Sequence, residues 1–290
     1  MALVVGLAFP PGQGWAAETT PETPDRIEKP EPLWELGIGG AGLHLPHYPA
    51  SAQSQTRFLP FPFLFYRGRV FRSDEKGLLR GRVLKSEEIE LDLSLSGSLP
   101  VDAGDNDARS GMPELGWLAE IGPRLQVNLL WTADGGRDAS LDFELPVRGV
   151  LSTDFRGAPE WQGVVVSPGL AYRTGNVGGS GVDFTMSAEA TFASERLMDY
   201  YYQVDPRFVR SDRGEYDAAA GYLGARASFK LKRKLGRRVT AFLNGSVQEF
   251  AGSTNSRSPL STEPRNFGVV VGFRLVLFRS DELVRDQEFR

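Results

Sequence analysis

The sequence of 290 residues has no cysteine, only two histidines and a net charge of −4. Without cysteine the chain cannot form a disulfide, a thiolate metal site or a cysteine nucleophile. The net charge is too small to indicate a nucleic-acid partner. Because no run of about 18 apolar residues occurs, the sequence predicts no membrane-spanning helix. A β-barrel needs no such run, since only alternate residues of its strands meet lipid.

Alternation of apolar and polar residues is the main pattern in the chain. In residues 222–231 the odd-numbered positions are apolar, and most even-numbered positions are polar or small. This period of two predicts a strand with one apolar face, on which we expect Leu223. Glycine and proline, with 33 and 19 residues, indicate many turns, while a hydrophobic content of 41% excludes a disordered chain.

Similar segments recur along the chain, and the connections between them are alternately short and long. The predicted strands are 34–45, 58–66, 69–72, 78–84, 89–96, 115–131, 141–148, 163–173, 182–192, 222–231, 239–248 and 267–277. Pro60 and Pro62 place the second of these at a strand end or a sheet edge. No segment has a convincing helical period.

We therefore expect an all-β fold, a transmembrane antiparallel up-and-down β-barrel. It should have about 12 strands (10–12), short periplasmic turns and longer extracellular loops. A soluble β-sandwich is the rival interpretation, because its strands alternate too. The length of the uninterrupted hairpin series and the opposed apolar and charged faces favour the barrel.

The chain divides into four predicted regions. Residues 1–17 are apolar, end in small residues and are interpreted as the remnant of a signal peptide that lacks a basic start. Residues 18–32, rich in proline and acidic residues, form a flexible periplasmic linker. Residues 33–278 form the barrel, and residues 279–290 are a polar tail.

Candidate catalytic and metal-binding residues are few. His44 and His47 are too few to form a metal site. A serine hydrolase would combine His47 with Ser51 or Ser54, but no nucleophile-elbow pattern accompanies them. The glycine-rich stretch 175–181 is a turn, since no lysine and no helix follow it. We expect no catalytic residue, no metal and no cofactor, and hence no enzyme.

The polar strand faces carry charges of both signs and predict a charged lumen. The expected lumen charges are Glu90, Asp92, Glu120, Arg124, Asp142, Glu144, Arg148, Arg173, Asp183, Glu189, Arg226, Lys230 and Arg274. In a narrow lumen such charges pair across strands, because an unpaired buried charge is costly. They form either a salt-bridged plug or a narrow ion path.

Two further clusters are candidate contact surfaces. A basic turn faces the periplasm in the predicted topology and could meet anionic lipid or murein carboxylates; it comprises Lys230, Lys232, Arg233, Lys234, Arg237 and Arg238. A candidate interaction loop on the other side carries Tyr200, Tyr201, Tyr202, Arg207, Arg210 and Tyr216. Tyrosine and arginine are frequent at binding hot spots, and tyrosine also marks membrane interfaces.

Several short motifs, in order, resemble the MipA/OmpV family of Gram-negative outer-membrane proteins over about residues 34–278. They are 45–49 (LPHYP), 59–62 (LPFP) with 66–68 (YRG), 109–115 (RSGMPEL) with 120–123 (EIGP), 201–204 (YYQV) followed by 216–221 (YDAAAG), and 258–260 (SPL). Gln203 stands where the family usually has glycine. The family also commonly ends on an aromatic residue, whereas a polar tail follows Phe278 here.

The resemblance implies an outer-membrane barrel and a role in murein metabolism. One member of the family is a scaffold that joins a lytic transglycosylase to a murein synthase. We therefore expect a non-enzymatic scaffold of the Gram-negative outer membrane, in contact with lipid and, during biogenesis, with the barrel-assembly machinery. The alternatives are a narrow porin-like channel or an outer-membrane adhesin or transport protein. An outer-membrane enzyme that acts on lipid is the least favoured.

Overall fold

The computed structural model describes residues 31–67, 71–74, 77–81, 84–85, 89–134 and 137–284. The predicted signal peptide, most of the linker and the end of the tail lie outside this range. The strands are β1 (Glu31–Pro32), β2 (Trp34–Pro46), β3 (Ser54–Arg67), β4 (Phe71–Asp74), β5 (Gly77–Gly81), β6 (Leu84–Lys85), β7 (Ile89–Ser98), β8 (Trp117–Asp134), β9 (Arg137–Thr153), β10 (Glu160–Val166), β11 (Gly169–Thr174), β12 (Val182–Ala193), β13 (Gly221–Lys234), β14 (Val239–Glu249), β15 (Arg265–Arg279) and β16 (Leu283–Val284).

The main sheet has 14 strands in the order β5-β4-β3-β2-β15-β14-β13-β12-β10-β9-β8-β7-β6, with β11 beside β12 and β9. All pairs are antiparallel. The two ends of this order, β5 and β6, follow one another in the chain. β10 and β11 are likewise consecutive in the chain. Both pair with β9 and β12, on either side of Ser167 and Pro168, so together they occupy one position and the described strands occupy thirteen positions in the sheet. The predicted up-and-down barrel is confirmed.

Side chains alternate between the lumen and the outer surface. On β15, Val271 is 57% exposed, while its neighbour Val270 is 2% exposed. Exposed aromatic side chains lie towards both ends of the wall: Trp34, Tyr66, Trp131, Tyr172 and Phe278 at one end, and Phe58, Phe155, Trp161, Phe192 and Phe267 at the other. An apolar outer band with aromatic girdles is the surface that a transmembrane barrel presents to lipid.

The two ends of the barrel differ. One, the long-loop end, carries the connections 47–53, 99–116, 154–159, 194–220 and 250–264. The other, the short-turn end, carries the turns 175–181 and 235–238 and the small sheet in which β1 pairs with β16. The part of the polar tail at 283–284 therefore belongs to a strand.

A helix occurs where the sequence indicates none: α1 (Glu195–Tyr202) lies in the connection after β12. It buries Leu197, Met198, Tyr201 and Tyr202. With only 8 residues it makes barely two turns, so its period is too short to stand out in the sequence. No helix in the described ranges is long and apolar enough to span a membrane.

The predicted face of Leu223 is wrong. Phe192 pairs with Tyr222 and Thr191 pairs with Gly224, so Leu223 is the extra residue of a β-bulge. A bulge changes the phase of alternation. Tyr222 consequently packs against the exposed ring of Phe192, with centroids 5.6 Å apart, while Leu223 is 6% exposed and faces inward.

The prediction for the prolines of β3 is confirmed. β3 pairs with β4 only at Tyr66 and Arg67, so the described strands leave its other residues unpaired on that side. Pro60 and Pro62 lie in this stretch. Proline has no N–H, and at a sheet edge it leaves no donor unsatisfied.

Candidate functional site

Buried ion pairs fill one side of the lumen, here called the charged side. Arg124 is 0% exposed and lies opposite Asp92 on the neighbouring strand. Its Nε donates to Asp92 Oδ1 at 3.0 Å, and its Nη2 donates to Oδ2 at 2.7 Å. Its Nη1 lies 3.8 Å from Glu144 Oε2. This bidentate geometry is the strongest that arginine and a carboxylate form.

The network continues from β9 to β11. Arg173 Nη1 donates to Asp142 Oδ2 at 2.6 Å, and its Nη2 contacts Glu144. Asp142 also accepts hydrogen bonds from Asn128 and Ser140, each at 2.8 Å. Asp92 and Asp142 each accept several hydrogen bonds, and Glu144 pairs with both Arg124 and Arg173, so the buried charges are compensated.

A second group of charges lies nearer the long-loop end. Arg148 Nε is 2.8 Å from Glu120 Oε2, and Arg226 Nη1 is 3.5 Å from Glu189 Oε1. Arg148 also donates to Ser94 Oγ at 3.2 Å. The predicted pairing across strands is therefore present in both groups.

The remaining predicted lumen charges lie apart from these groups. Asp183 pairs with Lys232 at 3.2 Å in a partly exposed position, and Arg274 lies 5.0 Å from the ring centroid of Phe65. Lys230 lines a cavity of about 80 Å³, and Glu90 is half-buried on β7. A second cavity, under the long loops, measures about 30 Å³. These volumes hold a few water molecules each.

The opposite side of the lumen, here called the apolar side, was not predicted. Phe61, Phe63 and Phe65 of β3 face inward and are buried with Leu43 and Val270. A side chain at Gly37 would approach the Phe63 ring to 2.5 Å. Gly39 likewise leaves space for Phe61. The glycines of β2 are thus the sequence signal that could have revealed inward-facing rings.

The long-loop end is closed by a folded layer, here called the cap, formed by residues 47–53, 99–116, 194–220 and 250–264. Its core consists of side chains from several loops and the upper strand ends. It comprises Tyr48, Ala50, Val101, Met112, Leu115, Leu118, Val150, Val165, Ala193, Leu197, Met198, Tyr201, Tyr202, Val204, Ala218, Leu223, Phe250 and Leu260. The loops therefore pack as a hydrophobic core does.

Several polar groups inside the cap have specific hydrogen-bond partners. The hydroxyl of Tyr48 donates to Leu260 O at 2.8 Å, and that of Tyr202 donates to Pro49 O at 2.9 Å. Arg109 donates to Tyr201 O at 3.1 Å and lies over the Tyr48 ring at 5.7 Å. Burial raises the pKa of Tyr48 to about 12 and lowers the pKa of Arg109.

The predicted interaction loop divides into buried and exposed residues. Tyr201 and Tyr202 belong to the cap core, and burial raises the pKa of both phenols. Tyr200 and Tyr216 pack against that core. Arg207 and Arg210 are solvent-exposed and pair with nearby Asp205 and Asp212. The tyrosines therefore build the cap, and the two arginines remain accessible for contact.

The sequence suggested His47 as the partner of Ser51 or Ser54, and the structure gives Ser54 and His47 other partners. The ring nitrogen Nδ1 of His47 lies 3.1 Å from the amide nitrogen of Asn106. Burial lowers the pKa of His47, although Asp105 opposes this shift. The histidine that contacts Ser54 is His44, on the outer wall.

The short-turn end is bridged by the termini. The buried guanidinium of Arg67 lies 2.9 Å from Glu31 and 2.7 Å from Glu35, and it donates to Pro32 O at 2.8 Å. Lys234, at the end of β13, is 3.5 Å from the same Glu31 carboxylate. β1 is thus held to two strands separated by three others in the sheet.

The basic turn lies at this end. Lys232 is held by Asp183 and Lys234 by Glu31, and Lys230 points into the lumen. The other three members, Arg233, Arg237 and Arg238, are exposed. Leu235 within the turn is 61% exposed, and Leu283 of β16 is 56% exposed. This end therefore offers basic and apolar side chains together.

Three solved structures are similar to this chain at low sequence identity. A bacterial polysaccharide outer membrane secretin is 9% identical, with a TM-score of 0.38, covering 85% of this chain and 99% of that chain. Outer membrane phospholipase A from Escherichia coli is 10% identical, with a TM-score of 0.33, covering 85% and 94%. The CymD monoaromatic hydrocarbon channel is 10% identical, with a TM-score of 0.27, covering 86% and 90%. Scores this low say nothing about function.

The family comparison is specific. No curated protein matches the sequence. Residues 38–276 match the family described as MltA-interacting protein MipA. The match spans the barrel from β2 to β15, including the loops of the cap. This chain therefore belongs to the MipA family.

Proposed function

We propose that this protein is an outer-membrane barrel that serves as a scaffold for murein enzymes. The single observation that carries the proposal is membership of a family described by its interaction with MltA. On this proposal the chain binds a lytic transglycosylase and a murein synthase. It acts on murein only through the enzymes that it binds.

The proposed location is the outer membrane of a Gram-negative cell. The exposed apolar band and its aromatic girdles support contact with membrane lipid. Phe278, which is 61% exposed near the end of β15, is the residue that we propose the barrel-assembly machinery recognises. The long-loop end would face the medium and the short-turn end the periplasm.

The short-turn end is the surface that we propose for the partner enzymes. It combines exposed Leu235 and Leu283 with the cationic Arg237 and Arg238. Apolar anchors surrounded by charged residues are typical of protein interfaces, and arginine is favoured there. The link from Arg67 and Lys234 to Glu31 would hold this surface in a fixed shape.

The lumen supports a scaffold better than a porin-like channel. Its charged side is occupied by ion pairs, its apolar side by phenylalanine rings, and its outer end by the cap. An open channel requires a continuous aqueous path through the barrel. These side chains occupy the space that such a path would need. We expect no steady conductance from the purified barrel in planar bilayers.

Site-specific photocrosslinking in cells tests the proposed surface. A photoreactive amino acid at Leu235 should trap periplasmic murein enzymes, whereas the same residue at Phe155 should not. Phe155 is the matched control because it is apolar and 75% exposed in a loop at the opposite end. Crosslinks to murein enzymes from Phe155 alone would contradict the proposed surface.

Charge reversal sharpens the test. The double substitution Arg237→Glu and Arg238→Glu should lower the crosslinking yield from the photoreactive amino acid at position 235 several-fold. The reason is that the exposed cations would no longer attract acidic groups on the partner enzyme. The heat-dependent gel mobility of the barrel should not change. Capture of the same murein enzymes at wild-type level would contradict a role for these two charges.

A further inference from the structure

A polar trio lies on the outer wall of the barrel near the long-loop end. His44 of β2 and Ser54 and Thr56 of β3 are all exposed. Ser54 Oγ is 3.2 Å from His44 Nε2, and Thr56 Oγ1 is 2.9 Å from His44 Nδ1. The imidazole therefore contacts a hydroxyl on each of its two nitrogens.

Strand pairing creates this arrangement. His44 lies directly opposite Thr56, and Pro46 lies opposite Ser54. Since side chains alternate with a period of two, these positions all point to the outer face. Ten residues separate His44 from Ser54 in the sequence, and the connection 47–53 folds back to bring them together.

The geometry is that of a nucleophile, a base and an orienting group. In the tautomer with the proton on Nδ1, His44 donates to Thr56 Oγ1 and accepts the Ser54 hydroxyl proton at Nε2. This order is the one that activates serine in hydrolases on unrelated folds, where the orienting group is usually a carboxylate.

Backbone donors lie beside the serine. The N–H of Arg67 donates to Leu33 O, and Gln53 O accepts from His47, so odd-numbered residues of β3 exchange hydrogen bonds with β2. In an antiparallel pair the next residues then direct their N–H groups to the other side. The N–H groups of Ser54 and Thr56 therefore point away from β2, to the side of β3 on which no described strand pairs with this part of it.

The surroundings indicate the substrate class. Phe58, two residues after Thr56 on the same face of β3, is 66% exposed. On β15, Val269 pairs with His44 and is 47% exposed, and Phe267 is 64% exposed. Apolar side chains of this size on a membrane-facing wall fit a long acyl chain.

We propose that Ser54 and His44 form a hydrolytic dyad for long-chain acyl esters at the membrane surface. Ser54 Oγ attacks the ester carbonyl, and its proton moves to His44 Nε2. The tetrahedral intermediate breaks the bond to the alcohol oxygen, which leaves with that proton. Water then cleaves the acyl-serine by the same route and releases a fatty acid, so no oxidant or reductant is needed.

This activity is separate from the proposed scaffold role, since its residues lie at the opposite end of the barrel from Leu235 and Arg237. A lipid-acting enzyme is the least favoured expectation from the sequence, because no nucleophile motif is present. The pairing of β2 with β3 supplies what the motif search does not find. Either proposal can therefore fail without affecting the other.

Direct labelling tests the nucleophile. The folded protein in detergent should react with a fluorophosphonate probe, and peptide mass analysis should place the adduct on Ser54. Hydrolysis of 4-nitrophenyl palmitate should exceed that of the butyrate ester. Ser54→Ala should abolish both signals, and His44→Ala should lower them about 100-fold or more. Ser256→Ala, an exposed cap serine, is the matched control and should retain both.

A cysteine substitution tests the dyad without any substrate. The chain has no native cysteine, so Ser54→Cys provides a single thiol. Next to an imidazole this thiol should react with iodoacetamide at a lower pH than an ordinary thiol. Adding His44→Ala should move the half-maximal rate upward by at least one pH unit.

Three results would overturn the proposal. They are no adduct on Ser54 in the wild-type protein, unchanged hydrolysis in Ser54→Ala, and identical thiol reactivity with and without His44. Heat-dependent gel mobility confirms that each variant is folded. If the three polar residues only form hydrogen bonds and catalyse nothing, we expect no adduct on Ser54 or unchanged hydrolysis in Ser54→Ala.

Discussion

The charged side of the lumen is filled by ion pairs between neighbouring strands, whereas the apolar side is filled by rings that fit over glycines. Arg124 and Asp92 represent the first arrangement, and Phe63 and Gly37 the second. The first depends on matched charges at paired positions. The second depends on the absence of a side chain at one of the paired positions.

This difference predicts different sensitivities. Removal of one charge leaves its partners buried and uncompensated, so the charged side should fail by electrostatics. Addition of atoms to a glycine should make the apolar side fail by steric overlap. Four substitutions or conditions, in order of decreasing effect, test whether the two sides and the cap behave in this way.

The largest effect is expected from Arg124→Leu. It leaves Asp92 without its bidentate partner and should lower the free energy of unfolding by about 3–5 kcal/mol, measured by urea unfolding in lipid vesicles. Adding Asp92→Leu should recover part of this loss. Lys232→Met breaks an exposed pair with Asp183 and should cost about 1 kcal/mol or less. Equal losses for Arg124→Leu and Lys232→Met would show that the buried network is unimportant.

On the apolar side, Gly39→Val should cost about 1–3 kcal/mol by overpacking. Its new Cβ would lie 2.7 Å from Phe273 O, a backbone atom that cannot turn away, and against the Phe61 ring. Gly42→Val is the matched control, because the nearest atom to its Cβ is 3.9 Å away. The same unfolding measurement should show little change for Gly42→Val. An unchanged free energy of unfolding for Gly39→Val would contradict close packing of the Phe61 ring against Gly39.

The inner and outer faces can be distinguished by labelling at the bulge of β13. Leu223→Cys should stay protected from a membrane-soluble maleimide, since Leu223 belongs to the cap core. Ala225→Cys, two residues away on the outer face, should react readily. Labelling of both positions at the same rate would contradict the bulge and restore simple alternation.

The smallest effect is expected from acid on the cap. The pKa of His47 is lowered by burial, so folding favours the neutral ring that accepts from Asn106. This contribution is complete above the unfolded pKa of about 6.5 and is lost as pH falls through the lower folded pKa. The urea midpoint should therefore fall less between pH 7.5 and 5.0 in His47→Gln than in wild type. An identical fall would exclude His47 as the titrating group.

Much of the wall could be predicted from the sequence, because a barrel strand must alternate to face lipid on one side. The ion pairs could be anticipated as a set, since Glu120, Arg124 and Arg148 fall on polar faces. Their actual partners could not, because pairing depends on register, which the sequence of one strand does not specify. The missed phase change at Leu223 has the same cause, since a bulge is visible only when both strands are aligned.

By itself, the sequence determined the strand period, the position of Pro60 and Pro62 on a strand side that no described strand pairs, and the family. These properties are local: each follows from residues adjacent in the chain. Only the tertiary structure decided that Tyr201 and Tyr202 build a cap. It also decided that Phe61 turns inward and that His44 meets Ser54. Contacts between distant residues depend on how strands and loops are aligned, and that alignment is a property of the sheet as a whole.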